Sequence, residues 1–237
     1  MPNLGIGGPG ITVILGHNGS GKSTLLDLLA RQSRPTSGTI LFDGQPVSKL
    51  SQMQLARQIA YLPQRLPPAA GLTVRELVNL GRFAWRGAIG RWTEEDYDIV
   101  DTALHQTSTW SLADHMTDEI SGGERQRAWI AMLLAQSAPI LLLDEPTAAL
   151  DLAHVNEVMG LLRQLADERA QRIIIVLHDV NVATRFADRI IALKAGQLMF
   201  DGAPEAFMAP SLLKDLYGVE MALLKDNNTG RRHAVVA

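Results

Sequence analysis

A glycine-rich segment near the start of the chain carries a lysine next to hydroxyl side chains. It follows the apolar run from Ile11 to Leu15 and reads, in order, Gly16, His17, Asn18, Gly19, Ser20, Gly21, Lys22, Ser23 and Thr24. Glycines let backbone N–H groups crowd around phosphate oxygens, Lys22 reaches the terminal phosphates, and the Ser23 hydroxyl can ligate the accompanying magnesium ion. A helix that begins near Lys22 points the positive end of its dipole at the same anion. The segment therefore predicts a nucleotide-binding phosphate loop.

Four side chains suited to phosphate and magnesium chemistry follow three other apolar runs. Asp144 and Glu145 come directly after one run, His178 follows a second, and Gln64 follows a third. In open α/β sheets ligands lie beyond the carboxyl ends of the strands. There Asp144 can hold magnesium, Glu145 can polarise a water molecule, His178 can hydrogen-bond a γ-phosphate, and Gln64 can reach magnesium or that water. The alternatives are a surface carboxylate pair bound to arginine and, for His178, an ordinary helix-start residue.

A second candidate anion site begins at Ser121. Serine followed three residues later by Glu124 is a capping-box pattern, which alone predicts only a helix start. Gly122 and Gly123 lie in the first turn of this helix, where each costs about 1 kcal/mol relative to alanine in a helix interior. A cap does not need these glycines, whereas bare backbone at a helix N-terminus is what anion binding requires. We therefore expect two phosphate-contacting surfaces in one chain.

Strand and helix signals alternate along the chain and predict an α/β fold with a P-loop core. Continuous apolar runs indicate strands buried on both faces, hence a mostly parallel sheet covered by helices. These runs are Thr12–Leu15, Ile59–Leu62, Ile140–Leu143, Ile173–Leu177 and Ile190–Leu193. Segments 39–44 and 197–202 look like short antiparallel edge strands that run into turns. The helical pattern from Thr73 to about 113 breaks the alternation and predicts an inserted helical subdomain, extending approximately over 73–135. We treat 1–237 as one domain and expect 225–237 to form a frayed tail.

Composition excludes several classes of protein. The 237 residues carry a formal net charge of −3, which gives no general attraction to nucleic acid or anionic lipid. The chain has no cysteine, so it forms neither disulfides nor thiolate metal sites. No stretch approaches the roughly 18 apolar residues that a membrane-spanning helix needs. We expect the chain by itself to be soluble.

Taken together, the motifs resemble the nucleotide-binding subunit of an ATP-binding cassette (ABC) transporter. The resemblance covers roughly 4–218 and rests on the phosphate loop, Gln64, the segment 120–124, the segment 141–146, the triplet Ala149, Leu150 and Asp151, and His178. It implies phosphate binding by Lys22 and Thr24, magnesium ligation by Ser23, Gln64 and Asp144, catalysis by Glu145, γ-phosphate contact by His178 and coupling of two sites by Asp151. In that family two cassettes pack head to tail, so that Ser121, Gly122 and Gly123 of one copy complete the ATP site of the other. Ile120 and Glu124 stand where the family usually has leucine and glutamine.

A narrower resemblance lies in three segments, 61–77, 81–85 and 123–132. They are similar to the ATPase subunits of bacterial importers for iron(III)–siderophore complexes, most closely the ferric hydroxamate type. This implies ATP and Mg²⁺ as cofactors, a second copy of the chain and integral-membrane permeases as partners, an indirect siderophore-binding protein, and a location on the cytoplasmic side of the inner membrane. Two alternatives remain: a soluble ABC-type ATPase acting on nucleic acid or ribosomes, and a module that binds ATP with impaired turnover.

Aromatic and arginine residues alternate in the helical insertion and allow two interpretations. They are Arg82, Phe83, Trp85, Arg86, Arg91 and Trp92. This composition is typical of interface hot spots, and the resemblance would set it against a cytoplasmic helix of a membrane subunit. Alternatively, Phe83 and Trp85 are core residues of the subdomain and the arginines reach outward to solvent.

The segment before the phosphate loop departs from the family pattern. Only fifteen residues precede Gly16, and the first aromatic residue is Phe42. Family members usually carry an earlier antiparallel strand and an aromatic residue that stacks on adenine. We therefore expect weaker ATP binding and a less stable sheet edge than in relatives with that segment.

Overall fold

The computed structural model describes residues 3–148, 150–227 and 229–237. A six-stranded sheet runs through the molecule in the order β4-β5-β6-β1-β7-β8. Its strands are β1 (Gly10–Leu15), β4 (Ile59–Leu62), β5 (Ile140–Asp144), β6 (Arg172–Val176), β7 (Arg189–Lys194) and β8 (Gln197–Gly202). The first five strands in this order pair in parallel, and β8 closes one edge antiparallel to β7. The predicted mostly parallel sheet, and the antiparallel strand over 197–202, are confirmed.

Burial explains why these segments form the centre of the sheet. All five residues of β5 are buried, and so are four of the five in β6. Apolar clusters cover both faces of the sheet: Val13, Ile173 and Ile175 belong to one cluster, while Ile14 and Ile174 belong to the other. Successive β-branched residues of a strand thus pack on opposite faces of the sheet, as the two-residue period of a strand requires.

Ten helices and two short sheets complete the described part of the chain, apart from 3₁₀ turns. The helices are α1 (Lys22–Leu29), α2 (Gln52–Ala56), α3 (Val74–Asn79), α4 (Phe83–Arg86), α5 (Glu94–Gln106), α6 (Gly122–Ala135), α7 (Leu152–Arg169), α8 (Val180–Phe186), α9 (Pro204–Phe207) and α10 (Pro210–Tyr217). The small sheets pair β2 (Leu41–Phe42) with β3 (Gln45–Pro46) and β9 (Met221–Lys225) with β10 (Arg232–Val236). Within the described ranges, none of the helices has both the length and the apolar character to cross a membrane.

The helical insertion is built around α3, α5 and α6. Arg82 lies between α3 and α4 and is buried, not directed to solvent. Its guanidinium donates to Asp96 at 2.8 Å and to the carbonyl oxygen of Ala135 at 2.9 Å. Phe83 and Trp85, by contrast, are 53% and 42% exposed. The interpretation with a buried Phe83 and Trp85 and outward arginines is therefore wrong at these positions, because Asp96 supplies a buried partner for the arginine.

The C-terminal segment differs from its prediction. We expected a frayed tail over 225–237, whereas β10 pairs antiparallel with β9 from Arg232 opposite Lys225 to Val236 opposite Met221. Ala234 is buried in the main core cluster. Of the five residues of β10 only Ala234 is buried, so the segment carried no alternation of apolar residues from which to predict a strand. Met1, Pro2, Ala149 and Asn228, which the predictions also cover, lie outside the described residues.

Candidate functional site

The phosphate loop connects β1 to α1, and its backbone requires glycine at three points. Gly16, Gly19 and Gly21 have φ angles of 153°, 77° and 98°. A Cβ atom at Gly16 would also collide with the carbonyl oxygen of Leu193 and with the Ser20 hydroxyl. The loop therefore wraps closely on itself and exposes His17, Asn18 and Gly19 at its tip. This is the predicted strand, loop and helix arrangement.

Lys22 folds back over the loop. Its Nζ atom donates to the carbonyl oxygens of Gly16 at 2.9 Å and His17 at 3.1 Å. The side chain is buried, and this burial lowers the pKa of Lys22, while the nearby carboxylates of Glu145 and Asp144 oppose the shift. The ammonium group is thus held directly above the loop where an anion can replace the carbonyl contacts.

Asp144 offers an oxygen ligand without a protein partner. It is the last residue of β5, is 2% exposed, and its Oδ1 atom accepts no hydrogen bond from any residue that the structure describes. Burial raises the pKa of Asp144, and a hydrogen bond from Ser23 works in the opposite direction. A buried carboxylate oxygen beside a serine hydroxyl is the donor set that a hard divalent cation prefers. The residues present therefore fit a magnesium ion held by Asp144 and Ser23.

Glu145 lies at the centre of a cluster of three polar side chains. Its Oε2 atom accepts from Gln64 Nε2 at 2.6 Å, and its Oε1 atom lies 2.5 Å from His178 Nε2. The Glu145 side chain is only 8% exposed, whereas that of His178 is 45% exposed. The structure therefore brings together the three residues that the sequence analysis assigned to catalysis.

Sheet topology explains the cluster. Glu145 follows β5, Gln64 stands two residues after β4, and His178 stands two residues after β6. Because β4, β5 and β6 are neighbours and parallel, their carboxyl ends meet at one edge. Glu145 itself has a φ of 52°, an uncommon value for a non-glycine residue. This turn directs its carboxylate toward the two neighbours.

The segment that begins at Ser121 lies outside this cluster. Ser121 caps α6: its hydroxyl accepts from the Glu124 N–H at 3.3 Å, and the Glu124 carboxylate accepts from the Ser121 N–H at 2.8 Å. A Cβ atom at Gly122 would meet nothing within 4 Å, and one at Gly123 would only touch Leu150. Within the described part of the chain, no hydrogen bond or ion pair joins Ser121 to the phosphate loop. The backbone of this helix start is open to an external partner.

Asp151 is also separate from the cluster of Gln64, Glu145 and His178. It caps α7 by accepting from the His154 N–H at 2.9 Å, and its carboxylate lies 2.8 Å from His154 Nδ1. The hydrogen bond from the His154 backbone is the main reason that the pKa of Asp151 is lowered.

Thr24 is exposed in the first turn of α1.

Sequence reasoning missed one contact between β4 and α1. Tyr61 on β4 donates from its hydroxyl to Asp27 on α1 at 2.8 Å. Burial and this hydrogen bond raise the pKa of Tyr61 well above its usual range. The pair ties the strand that leads to Gln64 to the helix that carries Lys22. No local pattern links residues 34 positions apart, so the sequence held no signal for it.

Comparisons with known proteins agree with this geometry. Residues 3–148 match the family model described as ABC transporter. The chain is 43% identical over 224 residues to the petrobactin import ATP-binding protein FpuD of Bacillus anthracis, covering 94% of this chain and 82% of that protein. It is 40% identical over 229 residues to the iron(3+)-hydroxamate import ATP-binding protein FhuC of Bacillus subtilis (strain 168), covering 97% and 85%.

A solved structure extends the comparison to the fold. The dimeric post-hydrolysis state of the ATP-binding cassette MJ0796, bound to ADP and Pi, superposes with a TM-score of 0.76 and 34% identity, covering 85% of this chain and 88% of that one. Its cassette fold, the matching family model and the cluster of Gln64, Glu145 and His178 beside a phosphate loop agree in one conclusion. The chain belongs to the ABC transporter family, as an ATP-hydrolysing cassette.

Proposed function

We propose that this chain is the ATPase subunit of an importer that takes up iron(III)–siderophore complexes, of the hydroxamate class. The observation that carries the hydrolytic part is the near-buried Glu145 carboxylate between Gln64 and His178. The import part is supported by relatives whose names specify petrobactin or iron(3+)-hydroxamate import. Hydroxamate is the finer part of the proposal, because the petrobactin relative is as similar as the hydroxamate one.

The site residues divide the reaction between them. The loop from Gly16 to Lys22 binds the triphosphate, and bound Mg²⁺ would neutralise phosphate charge while held by Ser23, Asp144 and Gln64. Glu145 accepts a proton from the attacking water as a general base. His178, 45% exposed at the rim, donates to the γ-phosphate. Each oxygen of Glu145 is already oriented by a neighbour, so the carboxylate is held in place before the water binds.

A second copy of the chain completes the proposed site. Ser121, Gly122 and Gly123 present open backbone at the start of α6, and among the described residues no hydrogen bond or ion pair joins them to the phosphate loop of their own chain. A nucleotide phosphate that reaches this helix start is therefore one held by the phosphate loop of a second copy. The dimeric state of the MJ0796 cassette supports a pairing of two such chains. We assign Asp151 to the same interface, as the residue that couples the two sites.

Permease subunits are the other proposed partners. The surface formed by Leu80, Phe83, Trp85 and Ile89 is called here the apolar surface of the insertion. These side chains are 52%, 53%, 42% and 98% exposed. Exposed aromatic residues beside arginine are typical of interface hot spots. With this surface against a membrane subunit, the chain is peripheral on the cytoplasmic side of the membrane.

Transport by reconstituted complexes tests the proposal. The chain is purified in complex with candidate permease subunits and incorporated into liposomes with ATP inside or outside. Uptake of radioactive iron is then measured with a hydroxamate chelate and with petrobactin, and uptake of vitamin B12 labelled with radioactive cobalt serves as the control. ATP-dependent uptake of the hydroxamate chelate alone supports the full proposal, and uptake of petrobactin alone corrects the siderophore class. ATP hydrolysis stimulated by nucleic acid, without iron uptake, would contradict it.

A further inference from the structure

Asn181 ties the C-terminal hairpin to the first turn of α8. Its side-chain Nδ2 donates to the carbonyl oxygen of Ala234 at 3.0 Å, and its Oδ1 accepts from the N–H of the same residue at 2.8 Å. One side-chain amide thus satisfies both backbone groups of a single residue 53 positions away. Neither the phosphate chemistry nor the family comparison assigns a role to this contact.

The pairing of the hairpin explains why Ala234 needs this partner. The backbone N–H of Asp226 donates to the carbonyl oxygen of Arg231 at 2.8 Å, and the backbone N–H of Ala237 donates to the carbonyl oxygen of Glu220 at 3.1 Å. Both of these opposed pairs are therefore hydrogen-bonded. Hydrogen-bonded and non-hydrogen-bonded pairs alternate along an antiparallel ladder. By that alternation Ala234, opposite Leu223, belongs to a non-hydrogen-bonded pair, and its N–H and C=O point away from β9.

Burial makes the contact of Asn181 specific. Ala234 is 7% exposed and belongs to the main core cluster. A buried backbone N–H or C=O without a partner is unfavourable. A primary amide offers one donor and one acceptor, which is the pair that one residue of a strand edge requires. On the side of β10 that faces away from β9, the Asn181 side chain therefore makes the two hydrogen bonds that a neighbouring strand would make.

The same first turn carries the cap that follows His178. Asp179 accepts from the N–H groups of Asn181 at 2.7 Å and Val182 at 3.0 Å. His178 directly precedes this cap, and its Nε2 lies 2.5 Å from Glu145. Any displacement of the start of α8 is thus passed through one residue to the imidazole.

A second C-terminal element carries a tyrosine that is electrostatically coupled to the Asp179 carboxylate of the cap. Burial raises the pKa of Tyr217, at the end of α10, to about 12, and the nearby carboxylate of Asp179 adds to the shift. The opposite end of α8 is held by other contacts, from Arg163 to the carbonyl oxygen of Phe186 and from Arg185 to Asn156. The C-terminal hairpin therefore contacts the end of α8 that adjoins the catalytic histidine.

We propose that Asn181 is a positioning residue for ATP hydrolysis: through Ala234 the C-terminal hairpin sets the start of α8 and with it the place of His178 beside Glu145. The inference rests on the proposed roles of Glu145 and His178. It assigns the hairpin a part in the reaction, although none of its residues lies in the catalytic cluster.

The test compares Asn181→Ala with Asn156→Ala in the full chain. Asn156 contacts α8 at its other end, through Arg185, and serves as the matched control. We expect Asn181→Ala to lower kcat roughly 10- to 100-fold, as displacements near 1 Å do, with ATP KM within about twofold. Asn156→Ala is expected to leave both unchanged. The imidazole NMR signals of His178, assigned by their loss in His178→Ala, are expected to shift only in Asn181→Ala.

Further variants separate positioning from stability. In a His178→Ala background, Asn181→Ala is expected to lower the residual kcat no further, and a full additional decrease would overturn the proposal. It is also overturned if Asn181→Ala lowers the melting temperature but leaves kcat and the His178 signals as in the wild type. If Asn181→Ala does not fold, Asn181→Asp retains the acceptor for the Ala234 N–H and is held to the same criteria. Glu145→Gln is measured in parallel. Full activity of Glu145→Gln refutes the catalytic assignment itself. If Glu145→Gln is inactive while Asn181→Ala keeps the wild-type kcat, only the positioning role is refuted.

Discussion

Glu145 occupies a backbone conformation that few residues other than glycine adopt. Its φ of 52° is of the kind that costs of order 1–3 kcal/mol and persists only where the surroundings hold it. Two side chains and a near-buried position do so here: Gln64 and His178 each bind one carboxylate oxygen. At the scale of the residue, the turn at Glu145 is therefore strained, and that strain accompanies a carboxylate that is held in one position.

Glu145→Gln is expected to abolish turnover while preserving ATP binding. The amide keeps the shape and can still pair with Gln64 or His178, but it cannot accept a proton from water, so we expect kcat to fall by about 10²- to 10⁴-fold. Steady-state ATPase assays and nucleotide titrations measure the two effects. Glu168→Gln, an exposed carboxylate on α7, is the control. Hydrolysis by Glu145→Gln near the wild-type rate would show that another group is the base.

At the element scale, tight packing joins the apolar surface of the insertion to α6. Between α3 and α4, Gly81 lies so close to α6 that a Cβ atom would collide with the carbonyl oxygen of Met132. Arg82 and Trp85 then donate to the carbonyl oxygens of Ala135 and Gln136, at the end of α6. The segment that exposes Phe83 and Trp85 thus binds the C-terminal end of α6, the helix that Ser121 caps at its N-terminus.

Gly81→Ala is expected to destabilise the chain by about 1–3 kcal/mol, because the methyl group overpacks the contact with α6. Gly160→Ala is the matched control: Gly160 lies within α7, and a Cβ atom there would meet nothing within 4 Å. Alanine at that position should stabilise the helix by about 0.5–1 kcal/mol. Urea denaturation measures both changes. Equal effects of the two substitutions would refute the proposed contact.

Asp96→Asn is expected to lower stability in a pH-dependent manner. Burial alone would raise the pKa of Asp96, but hydrogen bonds from Arg82 and Thr93 outweigh it and the pKa is lowered. The stabilisation is therefore complete above the usual aspartate pKa and is lost as pH falls through the lowered value in the folded state. We expect a deficit of about 3 kcal/mol at pH 7, as for a broken buried ion pair.

Unfolding measured from pH 7 down to pH 3 follows this deficit. The difference between wild type and Asp96→Asn should be constant near neutrality and shrink at the acid end. Asp98→Asn, an exposed position on the same helix, is expected to show no comparable deficit. A difference that stays constant throughout the range would exclude ionised Asp96 as the source of the stabilisation.

At the scale of the whole molecule, the residues of the proposed site lie on two separate surfaces. The phosphate loop and the catalytic cluster lie at the carboxyl edge of the parallel sheet, while the open backbone of Gly122 and Gly123 lies at the start of a helix in the insertion. Neither surface contacts the other within one chain by hydrogen bond or ion pair in the described residues. Two copies in head-to-tail contact would bring each loop against the other copy's helix.

Mixing two inactive variants tests this arrangement. Ser121→Arg blocks the helix start of one copy, and Lys22→Ala removes a phosphate ligand, so each homodimer carries two damaged sites. In a mixed head-to-tail dimer both lesions fall in one site and the other is intact. We expect mixing to restore measurable ATPase activity, with each variant's melting temperature confirming that it is folded. No recovery in a mixed dimer verified by native mass spectrometry would argue against composite sites.

Local chemistry determined a large part of the molecule without any knowledge of its tertiary structure. Buried parallel strands read as continuous apolar runs, so the predicted strand Ile59–Leu62 coincides with β4, and Ile140–Leu143 differs from β5 by one residue. The prediction of phosphate binding by Gly16–Ser23 follows from backbone freedom and charge that are contained within one loop. Capping of α6 by Ser121 and Glu124 is likewise a contact over three residues.

Tertiary structure alone decided the contacts between distant segments. The sequence placed Gln64, Glu145 and His178 after strands, but only the order β4-β5-β6 puts them within hydrogen-bonding distance. Burial of Arg82, the pairing of β9 with β10 and the bond from Asn181 to Ala234 gave no local signal, since each depends on a partner that chain folding supplies. Periodicity and short motifs report on neighbours along the chain. The environment of a polar group is set by neighbours in space, which the sheet order and the packing of the insertion determine.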